Sequence, residues 1–236
     1  MRIPPLRVAV MAAVVLLAGA CNSSVSGQPS SGSNLPSSNS SPPDASMTES
    51  TGTPEAAGDN DPSTKINGIE IKQYKGGDHV QAPQRVAYDQ SPPFGGAHDG
   101  IWAACNGVVY TKAVRSEHMV HTLEHGAVWI AYNPDTLPAA GVETLAKKVT
   151  GVPYMVMSPY PGLDKPVSLQ SWGHRLKLDD PADPRADEFI KALKQNKYTY
   201  PEPGATCDIP TSAFDQDNPP PFDPSPAPAG SKPVGS

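Results

Sequence analysis

The sequence predicts one α+β domain, a single compact unit with a small mixed sheet and a few short helices, flanked by a disordered tail at each end. Only 37% of the 236 residues are hydrophobic, which is low for a chain that folds along its whole length. The 29 prolines are concentrated toward the two ends, whereas short apolar runs alternate in the middle. We therefore expect a folded unit over residues 64–209, long enough to bury one core.

Each predicted element follows from the spacing of its apolar residues and from the residues that end the run. In chain order the elements are a strand at 66–74, a loop rich in Pro and Gly at 86–100, a strand at 106–110, a helix at 115–126, a strand at 127–134, a helix at 141–150, a strand at 152–162, a strand or hairpin at 166–178 and a helix at 183–196. This order contains no internal repeat and is typical of an α+β or compact α/β domain.

The helix over residues 115–126 contains the sequence HTLEHG and has recognisable ends. Ser116 is a candidate N-cap, because its hydroxyl can accept a bond from a free backbone N–H. Gly126 is a candidate stop, since glycine enters the left-handed conformation that ends many helices. Asp183 and Pro184 open the last predicted helix in a similar way.

The N-terminus is typical of an export signal. Residues 1–20 combine a positive start, an apolar stretch and small residues before a cysteine, which is the layout of a secretory signal peptide. Ala18-Gly19-Ala20-Cys21 resembles the bacterial lipobox, in which the cysteine is lipidated. We therefore expect a lipid anchor on Cys21 that holds the protein at the extracytoplasmic face of the cell membrane. The alternative is an ordinary secretory signal and a secreted protein.

Two further segments contain too few large apolar residues to offset the entropy of ordering them. Residues 21–63 predict a disordered tether rich in Ser, Pro and Gly, and residues 210–236 predict a disordered Pro-rich tail. The formal net charge is −6 and the isoelectric point is about 5.4. That balance argues against nucleic acid as a partner, because phosphate binding needs clustered Lys and Arg.

The three cysteines fit an exported protein. If Cys21 carries a lipid, Cys105 and Cys207 remain as a pair in an oxidising compartment, where a disulfide is expected. Two free thiols or two metal ligands are the alternatives.

The histidines are the candidate functional residues. On a helix, His121 and His125 project from the same face one turn apart, and neutral imidazoles in that arrangement chelate zinc or copper. His98, in the Gly-rich loop, and His174, after Trp-Gly, are predicted to complete a metal site. Glu124 is predicted to accept a bond from a ligand or to act as a base on metal-bound water.

Two other interpretations of HTLEHG stay open. His-x-x-Glu-His is the inverted zincin signature, which predicts a metal-dependent hydrolase with Glu124 as its base. Gly126 follows the motif at once, however, whereas that class needs a continuing helix. Alternatively, His121 and His125 donate to loop carbonyls and only fix the loop's shape, in a structural or interaction module without metal.

Four stretches carry a resemblance to a known family, namely SPPFGGAHDGIWAACNGVVYTKAV, HTLEHGAVWIAYNPD, SPYPGLDKPVSLQSWGHRLKLDDPADP and PEPGATC. Together they resemble the bacterial family called domain of unknown function 3105, from about Ser91 to Cys207. The stretch after Cys105 is one residue longer than the family's tightest pattern, which indicates a small register change.

The resemblance implies a secreted or membrane-attached protein of actinobacterial type, and it implies no established activity. The family's histidines map onto His98, His121, His125 and His174, and its cysteines map onto Cys105 and Cys207. These are the residues that the spacing had already selected.

Overall fold

The computed structural model describes residues 60–209 and 212–235. The predicted signal peptide, Cys21 and most of the predicted tether therefore lie outside the described residues. Within the described ranges, no helix is long and apolar enough to cross a lipid bilayer.

A six-stranded mixed sheet forms the centre of the domain. Its strands are β1 (Glu70–Ile71), β5 (Asn106–Val109), β6 (Val128–Tyr132), β7 (Met155–Pro159), β8 (Val167–Ser171) and β9 (His174–Leu178), in the spatial order β1-β9-β8-β6-β7-β5. The pairs β5–β7 and β6–β7 are parallel, and the pairs β6–β8, β8–β9 and β1–β9 are antiparallel. The predicted α+β class and mixed sheet are confirmed.

Three helices cover the two faces of this sheet. They are α1 (Ser116–Glu124), α2 (Ala139–Val149) and α3 (Arg185–Leu193). Side chains alternate along each strand, so Val128 and Ile130 of β6 join one apolar cluster with α2 and α3, whereas Trp129 and Ala131 join the other with α1. The four inner strands are thus largely buried on both faces, whereas β1 and β5 at the two edges are more exposed.

Most predicted elements match the observed ones to within a few residues at their ends. The predicted first strand shortens to β1, whose two residues pair with β9. Ser116 is the first helical residue of α1 and Arg115 occupies the N-cap position without a side-chain cap bond, so that boundary lies one residue from its predicted place. Gly126 has the expected left-handed backbone, with φ at +84°.

Two short parallel strands form around the predicted loop at 86–100, one before it and one at its end. These are β2 (His79–Val80) and β4 (His98–Asp99), which pair with His79 opposite His98. Strand β4 packs on α1. A short 3-10 helix at Pro62–Lys65 extends the domain on the N-terminal side of the predicted start at residue 64.

The C-terminal segment, residues 212–235, differs from the predicted disordered tail because it packs along the domain. Strand β10 (Lys232–Pro233) pairs in parallel with β3 (Val86–Ala87). Phe214 is buried against His118 and Tyr110. A few well-placed aromatic and backbone contacts order a segment whose average composition is typical of disorder.

Cys105 and Cys207 form the predicted disulfide, which joins the start of β5 to the segment after α3 across 102 residues of sequence. The bond excludes both cysteines as metal ligands and leaves the imidazoles and carboxylates as the candidate ligands of the described chain.

Candidate metal centre

The β2–β4 pair places two imidazoles side by side. His79 and His98 are direct partners in its register, and their ring centroids lie 4.9 Å apart. His98 is completely buried, whereas the side chain of His79 remains 45% exposed. This strand pair therefore places one buried and one half-exposed imidazole side by side.

Helix α1 brings three more groups to these two imidazoles. His121 and Glu124 are three residues apart and share one face of the helix, and His125 occupies its C-cap position. The ring of His121 lies 4.6 Å from the rings of both His98 and His125. Because Gly126 turns the chain immediately afterwards, the helix ends at the cluster.

Each buried imidazole of the cluster is held by its Nδ1 atom. His98 Nδ1 lies 2.7 Å from the carbonyl oxygen of Gly96, and His121 Nδ1 lies 2.6 Å from that of Asp99. His125 Nδ1 lies 2.7 Å from the carbonyl oxygen of Thr206. A carbonyl only accepts, so Nδ1 donates in each case and Nε2 of the neutral ring keeps a free lone pair. This orientation is the one that metal-binding histidines usually have.

Four of these groups form a complete set of candidate ligands. One nitrogen each from His79, His98 and His121 and one oxygen from Glu124 lie within 4.8 Å of one another. Bonds of about 2 Å place tetrahedral ligand atoms about 3.3 Å apart. The four ligand atoms must therefore move slightly closer together to bind one ion, and the half-exposed side chain of His79 has room to move.

The carboxylate of Glu124 is fully buried between a backbone donor and the imidazoles. Its Oε1 accepts a hydrogen bond of 2.7 Å from the N–H of Gly77, and its Oε2 lies 2.7 Å from His98 Nε2 and 3.7 Å from His79 Nε2. Burial raises the pKa of Glu124, but the nearby imidazoles and the Gly77 N–H outweigh it and hold the pKa well below its usual range. Glu124 is therefore an anion inside the domain.

His121 is suited to bind a cation as a neutral ring. Burial and the neighbouring rings of His98 and His125 lower the pKa of His121 to about 2. The indole of Trp102 packs 5.2 Å from His121 and 4.6 Å from His125, which shields both rings from water. A neutral imidazole is the form that coordinates metal.

A second, smaller set shares one member with the first. His121, His125 and Glu202 also offer ligand atoms within 4.8 Å of one another. Glu202 Oε2 lies 3.4 Å from His125 Nε2, and the Glu202 side chain is 42% exposed. Two sets of candidate ligands therefore meet at His121.

Residues 79–209 match the family model described as Protein of unknown function (DUF3105). The chain belongs to the DUF3105 family. No curated protein and no solved structure matches it. The matched range begins at His79 and includes every residue of both candidate ligand sets, so the cluster lies within the DUF3105 domain.

His174 lies outside the cluster of this DUF3105 domain, contrary to the prediction that it completes the site. Its Nδ1 donates to the carbonyl oxygen of Trp172 at 2.6 Å, and its Nε2 lies 3.0 Å from Asp61 Oδ2. Both nitrogens are engaged, and His174 belongs to neither ligand set. The pair connects β9 to the 3-10 helix, which indicates a structural role.

The local sequence does not indicate two members of the ligand sets, His79 and Glu202. His79 joins because β2 pairs with β4, and two-residue strands leave no readable period in a sequence. Glu202 joins because the disulfide and the contact of Thr206 with His125 hold the segment after α3 beside α1. His118, on the same helix, is buried and bonded to the carbonyl oxygen of Ile101.

Proposed function

We propose that this protein binds a transition-metal ion, zinc or copper, at the cell envelope through His79, His98, His121 and Glu124. The observation that carries the proposal is the contact between His98 Nε2 and Glu124 Oε2. These atoms lie 2.7 Å apart, both are buried, and neither has a hydrogen-bond partner among the described residues.

Two acceptor atoms at that distance repel each other unless a positive charge lies between them. A neutral His98 has its proton on Nδ1, where it is donated to Gly96, so Nε2 would then face the carboxylate with a lone pair, and the positive charge must come from a bound cation or from a second proton on the ring. Buried polar atoms without partners are costly. A cation bound by both atoms removes this cost, and His79 and His121 complete its coordination.

The types of ligand favour a borderline divalent ion. Three imidazoles and one carboxylate suit Zn²⁺ or Cu²⁺. The sulfur atoms of the described chain lie in other surroundings, because Cys105 and Cys207 are bonded to each other and the three described methionines are buried in the apolar clusters.

In this proposal Glu124 is a ligand and not the base of a hydrolase. Its Oε1 is occupied by the N–H of Gly77 and its Oε2 faces the imidazoles. The carboxylate is therefore placed for direct coordination, whereas a base needs an oxygen directed toward a metal-bound water.

Elemental analysis of protein purified without an affinity tag tests the metal site, followed by calorimetric titration of the metal-free protein with Zn²⁺ and with Cu²⁺. We expect one ion per chain and a higher melting temperature with the ion. Glu124→Gln keeps the size of the side chain and should weaken binding by at least about tenfold. Glu188→Gln, on the exposed face of α3, should bind as the wild type does.

The outcomes distinguish the alternatives. If the protein contains no stoichiometric metal and neither ion raises its melting temperature, the remaining interpretation is a structural or interaction module, in which His98 and Glu124 share a proton. A Glu124→Gln variant that keeps full metal affinity but loses a hydrolytic activity would instead support the hydrolase with Glu124 as base.

The location of the protein at the membrane rests on the sequence of its N-terminus. We expect radiolabelled palmitate to enter the wild-type protein in a bacterial host and not Cys21→Ala. Label in the variant would place the lipid on another residue, whereas no label in either protein would leave a secreted protein without an anchor.

A further inference from the structure

His121 belongs to both candidate ligand sets, yet it can serve only one ion at a time. Its Nδ1 donates to the carbonyl oxygen of Asp99, which leaves Nε2 as its single metal-binding atom. The inner set is His79, His98, His121 and Glu124, and the outer set is His121, His125 and Glu202. An ion held by one complete set therefore takes His121 away from the other.

The two sets are adjacent and differ in exposure. The backbone N–H of Glu202 donates to the carbonyl oxygen of Glu124 at 3.3 Å, so the two glutamates are in direct contact through the main chain. Glu124 is fully buried, whereas the Glu202 side chain is 42% exposed. His125, between them, is buried. The outer set thus extends from Glu202 at the surface to His121, which it shares with the inner set.

We propose that the cluster is one metal site with two successive positions, and that the outer set captures the divalent cation and passes it to the inner set through His121. This inference rests on the proposed metal-binding function. In the transfer, the bonds from the metal to Glu202 and His125 break while bonds to Glu124, His98 and His79 form. His121 remains bound throughout, and no electron is transferred.

The direction of transfer follows from the number and the burial of the ligands. The inner set offers four ligands and the outer set offers three. The carboxylate of the inner set, Glu124, is shielded from water. Its attraction for a cation is therefore much less screened than that of the exposed Glu202. The ion therefore rests in the inner position, and the outer position sets how fast it enters and leaves.

Rapid-mixing measurements test the transfer. Metal-free full-length protein is mixed with Zn²⁺ in the presence of a chromogenic chelator, and release is followed separately after loading. The wild type should bind one ion per chain. In Glu202→Gln, both the rate of uptake and the rate of release should fall about tenfold, because the ion enters and leaves through the outer position and the carboxylate there concentrates cations near the site. The affinity should stay within about twofold, because both rates change together.

Two comparisons make the result specific. Glu188→Gln removes an exposed charge on α3 that belongs to neither ligand set and should leave both rates unchanged. His125→Gln should slow both rates as Glu202→Gln does, with one ion still bound. The variants are folded if their melting temperatures with bound zinc match that of the wild type.

Several results would overturn the inference. Unchanged rates in Glu202→Gln would mean that the ion enters directly past His79. A tenfold loss of affinity in that variant would make Glu202 a resident ligand, and two ions per wild-type chain would indicate a dinuclear centre. If the wild type binds no ion at all, the proposed metal-binding function itself fails, and the two failures are thus distinguishable.

Discussion

At the scale of single residues, the two ring nitrogens of a histidine have separate tasks in this protein. In His98, His121 and His125, Nδ1 donates to a backbone carbonyl and fixes the ring, while Nε2 faces the cluster. The interpretation that these rings only bond to loop carbonyls and the interpretation that they bind metal therefore do not exclude each other. His174 differs because Asp61 also occupies its Nε2.

The contrast between His98 and His174 gives the first prediction. His98→Gln should weaken binding of Zn²⁺ by at least about tenfold, because it removes a ligand at the buried end of the inner set. His174→Gln should leave the affinity within about twofold, because its ring belongs to neither set. Calorimetric titration of both variants measures this. Equal losses of affinity in the two would restore His174 as a ligand.

The second prediction concerns the pH dependence of the Asp61–His174 pair. Burial raises the pKa of Asp61, but hydrogen bonds from His174 and Ser63 outweigh it and lower the pKa below 3.8. A lowered pKa in the folded state means that the charged carboxylate stabilises the fold at pH values above 3.8. This contribution is lost as the pH falls through the folded-state pKa.

Asp61→Asn should therefore lower the free energy of unfolding at pH 7 by about 2 kcal/mol, the cost of a buried hydrogen bond to a charged group. The difference between wild type and variant should shrink as the pH falls below 3.8. Urea unfolding of metal-free protein between pH 7 and pH 3 measures it. A difference that is constant over this range would contradict the assigned role of the carboxylate.

At the scale of elements, the end of α1 decides where the chain goes after the cluster. Gly126 adopts φ +84°, and a Cβ atom there would lie 2.6 Å from the ring of Tyr200. Because Gly126 also accepts a bond from the backbone of Gln195, it joins the helix end to the segment after α3. Glycine at this position satisfies both the backbone conformation and the close packing.

The third prediction uses a second glycine as its control. Gly126→Ala should lower the free energy of unfolding by about 3 kcal/mol, since it combines left-handed strain with a clash in the core. Gly204→Ala, with φ +97° and no atom within 4 Å of the added Cβ, should lose only about 1 kcal/mol from strain. Chemical denaturation of both variants tests this, and equal losses would show that packing at Tyr200 is unimportant.

The composition of the C-terminal segment does not indicate that this segment packs on the domain. Pro and Asp dominate the residues around Phe214, yet Phe214 itself is buried. Main-chain bonds at Arg115 and Ala97, each to a carbonyl of this segment, attach it beside both α1 and β4.

The fourth prediction follows from this packing. Phe214→Ala should lower the free energy of unfolding by about 3 kcal/mol, as expected for loss of a buried ring. Ala213→Gly, at an exposed neighbouring position, should change it by less than about 1 kcal/mol. Thermal denaturation measures both, and a neutral Phe214→Ala would support the disordered tail that the composition predicts.

At the scale of the whole molecule, the disulfide between Cys105 and Cys207 closes a loop of 102 residues that contains most of the sheet. In the chain-entropy model, a loop of this size contributes about 4–5 kcal/mol by restricting the unfolded chain. It also lies next to Thr206, whose carbonyl oxygen accepts the His125 bond. The bond therefore contributes to both stability and the position of the outer ligand set.

The fifth prediction is that Cys105→Ser with Cys207→Ser lowers the free energy of unfolding by about 4–5 kcal/mol. The wild type measured with a reductant should unfold at the same denaturant concentration as the double variant measured without one. Adding the reductant to the double variant should change nothing. A wild type that is insensitive to reductant would mean that the bond is absent or makes no contribution to stability.

The local sequence by itself determined most of the helices and strands of this protein. The periodicity of apolar residues is read within one element, and it correctly predicted α1, α2, α3 and the strands of the central sheet. The spacing of His121, Glu124 and His125 likewise required only the geometry of one helix. The pairing of Cys105 with Cys207 followed from their number and from an export signal.

Only the tertiary structure decided which distant groups meet. His79 reaches His98 through a two-residue strand pair, and Glu202 reaches His125 across 77 positions of sequence because the disulfide holds its segment in place. His174, which the family resemblance grouped with the other histidines, is instead bonded to Asp61. Such contacts depend on chain packing over long sequence separations, and neither composition nor periodicity carries information about them.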